Sequence, residues 1–348
     1  MKKYFYELMI DHRHGLIDKI IQAVLWILSL GYGMMAALTH AMYRQGFLSV
    51  YQAPKPVVSV GNITTGGVGK TPLVIGLAKV LHERQVKVVV LSRGYGSPEG
   101  LNDETKMFQE LLPQVPIIIG ANRKESIQKA LEQGPVDIFL ADDAFQHWPL
   151  KRDLDIVTVD ATYPFGNGHL LPRGILREEP SALERADILV LTKTDKVQST
   201  KELYDRLRQI NPQALIVQSR HAPRQFREVF SGSIRSLEAL RGQKVVAFCA
   251  IGDSSSFEYT LQKLELVVSK DFAFVDHHHY SGGDLKRVVD YARAENINIL
   301  VTTHKDAVKI IPLQDLFTGL TVLSLDIDLE ITRGQDEFIQ RVLSLRRR

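Results

Sequence analysis

The chain is poor in cysteine: its 348 residues contain one, Cys249. A lone cysteine can close no internal disulfide and anchor no zinc cluster. Its apolar setting, "VVAFCAIG", reads as a small buried hydrophobe. The lack of disulfides fits a reducing compartment. Net charge is also missing: 43 Lys and Arg against 40 Asp and Glu leave +3. Neither that balance nor any aromatic-rich basic stripe supports nucleic acid as a partner, and no obligate protein partner is evident. Low-complexity tracts and internal repeats are absent. With 45% hydrophobic and 24% charged residues, the composition is that of an ordered globular chain long enough for two domains.

What is present begins with alternation. The apolar runs "VVSVG", "KVVVLS", "VPIIIG", "VDIFLAD", "LDIVTVD" and "ADILVLTK" are separated by helical stretches such as "TPLVIGLAKVLHER". Strands buried on both faces with helices between them predict a parallel α/β sheet. A second series, "KVVAFCAIG", "LVVSKDFAF", "NINILVTT" and "LTVLSLDI", follows a polar, basic stretch that predicts an interdomain connection. The expected organisation is an N-terminal helical segment at 1–48, a P-loop α/β/α domain at 49–225 and a second, smaller α/β domain at 226–348.

The P-loop is "VVSVGNITTGGVGKTPL", residues 57–73. Phosphate binding needs backbone N–H groups turned inward, glycines to permit the turn, and a helix N-terminus to supply a favourable dipole. The expected cradle is Thr64, Thr65, Gly66, Gly67, Val68, Gly69, Lys70 and Thr71. Lys70 would reach the β- and γ-phosphates of a nucleotide such as ATP, and Thr71 would ligate Mg²⁺. The bland alternative, a glycine turn with a solvated lysine, is disfavoured by the strand before and the apolar helix after. Thr64 stands where the common G-x-x-x-x-G-K-[ST] pattern has its first glycine. A second strand, "VDIFLADDAFQH", runs into Asp142 and Asp143. A P-loop protein needs such a carboxylate to hold Mg²⁺, directly or through water. Either aspartate could serve.

Two rival readings remain. A P-loop ATPase or GTPase switch protein would use "GGVGKT" together with "TKTD" at 192–195, which resembles the guanine-reading motif of GTPases, although Gln146 occupies the glycine position of D-x-x-G. "DHH" at 276–278 resembles a phosphoesterase motif, a reading that leaves the P-loop without a role. Three consecutive histidines, His277 to His279, do not converge easily on one metal ion.

Residues Ile20 to Thr39 carry no charge. At about 1.5 Å per residue such a run makes about one hydrocarbon thickness. A cleaved signal peptide would be shorter and would export the P-loop away from ATP. Gln22, Ser29, Gly31 and Gly33 leave a buried helix open as a reading. Basic residues on both sides suit anionic headgroups, and membrane attachment, spanning or interfacial, is the expectation.

The motifs "SVGN", "TTGGVGKTP", "SRGYG" (92–96), "DDAFQH" (142–147), "FGNGHLLPRGILREEP" (165–180), "AIGD" (250–253), "DHH" and "THKDAVK" (303–309) occur in this order. Together they resemble the tetraacyldisaccharide 4′-kinase family, the lipid A 4′-kinases of Gram-negative envelopes, whose P-loop commonly lacks the first glycine. The resemblance implies two α/β/α domains with a cleft and an enzyme on the cytoplasmic face of the inner membrane. It further implies Mg²⁺-dependent transfer of the γ-phosphoryl group of ATP to the 4′-hydroxyl of a lipid A disaccharide precursor, giving lipid IVA. An aspartate–histidine pair serves as the family's proposed base; it matches His277 and, in "LNDET", Asp103, which is also a good helix N-cap. Arg93 and Arg177 are candidate phosphate contacts, and Glu178 is a candidate for Mg²⁺ or for orienting substrate.

Overall fold

A computed structural model describes residues 2–94, 103–252, 254–275 and 278–347. Its elements begin with α1 (Lys2–Met9), α2 (Leu16–Arg44), β1 (Val57–Gly61), α3 (Lys70–Glu83), β2 (Val88–Ser92), α4 (Asp103–Leu111) and β3 (Ile117–Ile119). There follow α5 (Arg123–Gln133), β4 (Ile138–Asp142), β5 (Leu154–Asp160), β6 (Ile188–Thr192), α6 (Lys201–Ile210), β7 (Leu215–Glu228) and β8 (Ile234–Arg235). The chain closes with β9 (Lys244–Cys249), α7 (Ser254–Lys263), β10 (Val267–Ala273), α8 (Gly282–Ala294), β11 (Ile299–Thr303), α9 (His304–Ile310), β12 (Thr321–Arg333) and α10 (Gln335–Leu343). Two compact units emerge: Met1–Gly100 with Leu111–His221 and Leu329–Arg348, and Leu101–Glu110 with Ala222–Asp328.

In the first unit the strands lie in the order β3-β2-β4-β1-β5-β6-β7, and every neighbouring pair is parallel. Their runs of Val, Ile and Leu are buried because helices cover such sheets on both faces. Parallel strands put their carboxyl ends on one edge, where open α/β sheets bind ligands. Gly61, Asp142, Asp160 and Thr192 end β1, β4, β5 and β6 on that edge. The order in which the chain adds strands reverses around β1: β4 and β2 lie on one side, β5 and β6 on the other. The phosphate loop therefore leaves the sheet at the switch point. Register places Val60 beside Asp142, bringing the acidic strand end next to the loop.

The uncharged N-terminal run lies inside α2, which is long and apolar enough to cross a membrane by length and composition. The Tyr4 hydroxyl donates to Asp18 at 2.7 Å, and the Gln22 amide donates to Asp11 at 3.1 Å, so α1 and the turn after it fold back on α2. Asp11 also meets Arg173 at 2.6 Å.

The second unit is a parallel sheet in the order β10-β9-β11-β12, with β12 beside the 222–228 half of β7 and β8 antiparallel to it. Its core packs Val246, Phe248 and Leu300 against Leu285, Val288 and Val289 of α8. The "THKDAVK" motif opens α9, with the Thr303 hydroxyl accepting from the Asp306 amide. Asp306 is fully buried and accepts from the Ala250 amide at 2.9 Å, which joins "THKD" to "AIGD".

Candidate active site

The departure at Thr64 has a local cause. Thr64 is a bridge residue, and residues 63–65 pair with the strip 175–177. Thr64 bridges Leu176 in antiparallel fashion, the Thr65 amide donates to the Ile175 carbonyl at 2.7 Å, and the Arg177 amide donates to the Ile63 carbonyl at 2.7 Å. Extended backbone favours a β-branched residue over glycine. The left-handed positions come later, at Gly66 (φ 113°) and Gly69 (φ 84°), where glycine avoids the Cβ penalty. Thr192 at the end of β6 donates its hydroxyl to the Val68 carbonyl at 3.1 Å and ties the loop to the sheet. The first turn of α3 carries no acidic residue, so no carboxylate of that turn competes for the helix N-terminus.

Charges converge on Asn62, a fully buried residue just past β1. Its side-chain oxygen accepts from Lys70 Nζ at 2.8 Å and from Arg177 at 3.5 Å. Its amide donates to the carbonyl and hydroxyl of Thr64. Asp143 accepts from Arg177 at 2.7 Å and lies 3.6 Å from Lys70. β4 ends at Asp142, and Asp143 takes a left-handed conformation (φ 49°), which short polar residues tolerate. Burial works against its ionisation, but Lys70 and Arg177 outweigh it and hold the carboxyl below the usual aspartate range. Asp142 is buried, and its carbonyl accepts from Arg123 at 2.8 Å.

Glu178 is also buried. Its carboxylate takes two bonds from Arg185, at 3.1 and 2.8 Å, and one from Gln146 at 2.9 Å. The same Gln146 amide donates to the Asn62 carbonyl at 2.8 Å. Gln146 therefore fills the D-x-x-G glycine position with a link between Glu178 and the loop. Arg93 is exposed at the end of β2. Burial, reinforced by the fields of Arg123, Arg93 and Arg152, pushes His147 down to about 4, so that imidazole is neutral at pH 7.

In "TKTD", Lys193 is buried and pairs with Asp160 at 2.5 Å, and Thr194 donates to the Ser219 carbonyl at 3.0 Å. Asp103 is the first residue of α4; its side chain and the whole of His277 lie outside the described residues. Among the described residues no three His, Cys, Asp or Glu side chains gather as a metal cluster. Thr71, Asp142 and Asp143 are hard oxygen donors at one edge, which fits Mg²⁺: that ion takes one or two carboxylates and completes its shell with phosphate and water. Asn62, Gln146 and Arg185 had no assigned role in the sequence reading. The signal for Asn62 was available, a polar residue directly after an apolar strand.

A loop of this build, with a lysine at the helix start and an acidic strand end alongside, defines a P-loop phosphotransferase that works by positioning and charge neutralisation. Within that class, residues 21–345 match the family described as Tetraacyldisaccharide-1-P 4′-kinase, and the chain belongs to that family. It is 37% identical over 339 residues to the tetraacyldisaccharide 4′-kinase of Halothermothrix orenii, covering 89% of this chain and 88% of that one. It is also 37% identical over 347 residues to the same-named protein of Anaeromyxobacter dehalogenans, covering 93% and 90%. The crystal structure of LpxK from Aquifex aeolicus in complex with ATP superposes with a TM-score of 0.73 at 27% identity, covering 93% of this chain and 99% of that one.

Proposed function

We propose that this chain transfers the γ-phosphoryl group of ATP to the 4′-hydroxyl of tetraacyldisaccharide 1-phosphate, forming lipid IVA in lipid A biosynthesis. The observation that carries this reading is the placement of Lys70 between Asn62 and Asp143 at the mouth of the loop, in a chain of this family. In this reading the amides of Thr64 to Thr71 hold the triphosphate and Lys70 neutralises charge on its outer groups. Thr71, Asp142 and Asp143 would hold Mg²⁺, which would offset the charge that develops on transfer. Arg177 releases Asp143 to meet phosphate as ATP enters. Glu178 already has three hydrogen bonds to Arg185 and Gln146, which suits an orienting role better than direct metal contact. Arg93 faces the anionic acceptor. Asp103 and His277 act as the base that takes the proton of the sugar hydroxyl, a weak nucleophile that needs one.

The acceptor is a lipid, and α2 is suited to a lipid surface. Its outward face carries Ile20, Val24, Ile27, Met34, Met35 and Leu38, all more than half exposed, and its inward face carries Asp18, Ser29 and His40. This inverts the pattern of a soluble helix. One face is packed on the first unit as far as Tyr43, whose ring stacks on Trp148, so an interfacial position fits better than a span. The location is the cytoplasmic face of the inner membrane, where ATP and the acceptor coexist. The test is turnover of γ-labelled ATP with and without the tetraacyl disaccharide, with GTP as competitor. Label in the lipid, acceptor-dependent and little affected by GTP, is expected; acceptor-independent GTP hydrolysis would contradict the reading.

A further inference from the structure

The strip 175–178 is held at Leu176 by residues 169–171, through the Leu171 amide to the Leu176 carbonyl at 2.8 Å and the Leu176 amide to the His169 carbonyl at 3.1 Å, and it touches two further segments. On one side it pairs with residues 63–65 of the phosphate loop, through the amides of Thr65 and Arg177. On the other side it meets α2. The Tyr32 hydroxyl donates to the Arg177 carbonyl at 3.0 Å, and His40 lies 3.8 Å from the Glu178 carboxylate. The two contacts come from α2 residues eight apart, about 12 Å along a helix. His40 also packs on Trp148, with ring centroids 4.3 Å apart. Between the contacts, Gly33 passes so close to Leu170 that an added Cβ would lie 2.9 Å from it. Beyond the strip, Glu178 reaches the Asn62 carbonyl through Gln146, and Asn62 holds Lys70. A continuous run of bonds therefore leads from α2 to the loop's amides and its lysine.

We infer that Tyr32 and His40 are positioning residues that transmit the seating of α2 on a lipid surface to the phosphate loop, so that ATP binds more tightly when α2 is membrane-docked. The inference rests on the interfacial reading of α2 given above. The physical reason is pre-organisation. In solution the apolar face of α2 is exposed, and Tyr32 and His40 pass whatever freedom α2 has to the strip. A lipid surface restrains α2, hence the strip, hence the edge on which residues 63–65 are paired. Ordering that no longer has to accompany ATP binding appears as affinity.

The test uses the full chain with Mg²⁺ and measures the Kd for ATP with and without vesicles of phosphatidylethanolamine and phosphatidylglycerol that contain no disaccharide. Vesicle binding is read separately by sedimentation. The unmodified chain is expected to sediment with the vesicles and to bind ATP about threefold or more tightly on them, a modest allosteric coupling. Tyr32→Phe combined with His40→Ala is expected to sediment equally well, to match the unmodified chain's ATP affinity in solution, and to lose the vesicle effect. In turnover assays on vesicles that also carry acceptor, the variant should raise KM for ATP while sparing kcat. Sedimentation without any change in ATP affinity overturns the coupling alone, as does a variant that keeps the full effect. Failure to sediment overturns the interfacial reading and the coupling together.

Discussion

In each unit a strand-to-helix turn holds a lysine against an aspartate. At the end of β11, Lys309 meets Asp306 at 3.0 Å, with side chains 4% and 0% exposed. Asp306 also accepts from the Ala250 amide and the Thr303 hydroxyl, so its oxygens are consumed internally. At the end of β1, Lys70 lies 3.6 Å from Asp143, and both side chains are about one-fifth exposed. The Lys70 ammonium donates to the Asn62 amide oxygen at 2.8 Å. The chemistry of the two pairs is the same. Enclosure is what differs: one pair fixes the "AIGD" turn, and the other is open to solvent, as the proposed function requires of a pair that meets phosphate.

The sharpest way to break this contrast is to remove each lysine–aspartate pair in turn. Lys70→Ala should lower kcat/KM by about 10³-fold, the upper range for a group that stabilises developing charge. Its thermal midpoint should stay within about 2 °C of the unmodified chain, because a partly exposed pair adds little stability. Steady-state kinetics and differential scanning fluorimetry measure the two sides. Asp306→Ala should do the reverse for stability. It removes the carboxylate that pairs with the buried Lys309 and accepts from the Ala250 amide, and should cost about 3–5 kcal/mol in urea unfolding. If Lys70→Ala unfolded the protein and Asp306→Ala did not, the contrast between the two pairs would be inverted.

Much of this contrast was written in the chain. The apolar runs marked β1, β2, β4, β5 and β6, because strands buried on both faces leave unbroken stretches of Val, Ile and Leu. The glycines and Lys70 marked the loop, and the uncharged run marked α2. The reason for Thr64 was not legible, since it lies in pairing with residues 175–177, far away in the chain. Nor was the role of Gln146 legible. Its position was read as a missing glycine, and only the fold shows its amide spanning Glu178 and Asn62. Which face of α2 points outward also needed the packing of Tyr32, Gly33 and His40. The "DHH" motif, central to the expected base, falls mainly outside the described residues.

Smaller effects sharpen the picture of the open pair. Asn62→Ala removes the oxygen that holds Lys70 and should lower kcat/KM about tenfold, equivalent to about 1.4 kcal/mol, the scale of one hydrogen bond to a charged group. Steady-state kinetics at varied ATP would read it. The smallest expected effect is the titration of Asp143. Burial raises its carboxyl, but Lys70 and Arg177 lower it further, so the net position is below the ordinary 3.8. The stabilisation from ionised Asp143 is present above the ordinary value and is lost as pH falls through the lower folded one. Carbon-13 NMR of the carboxyl should show a midpoint under 3.8, moving upward in Lys70→Ala. A midpoint above 3.8 in the unmodified chain would mean that burial dominates.

The central claim is that the loop at the end of β1 grips ATP so that its outermost phosphoryl group passes to the 4′ position of the acylated disaccharide. Phosphorus-31 NMR of the purified lipid product tests it directly. The account predicts a second phosphomonoester signal, coupled to the proton on the 4′ carbon, beside that of the 1-phosphate. A product bearing only the original 1-phosphate after ATP has been consumed would contradict it.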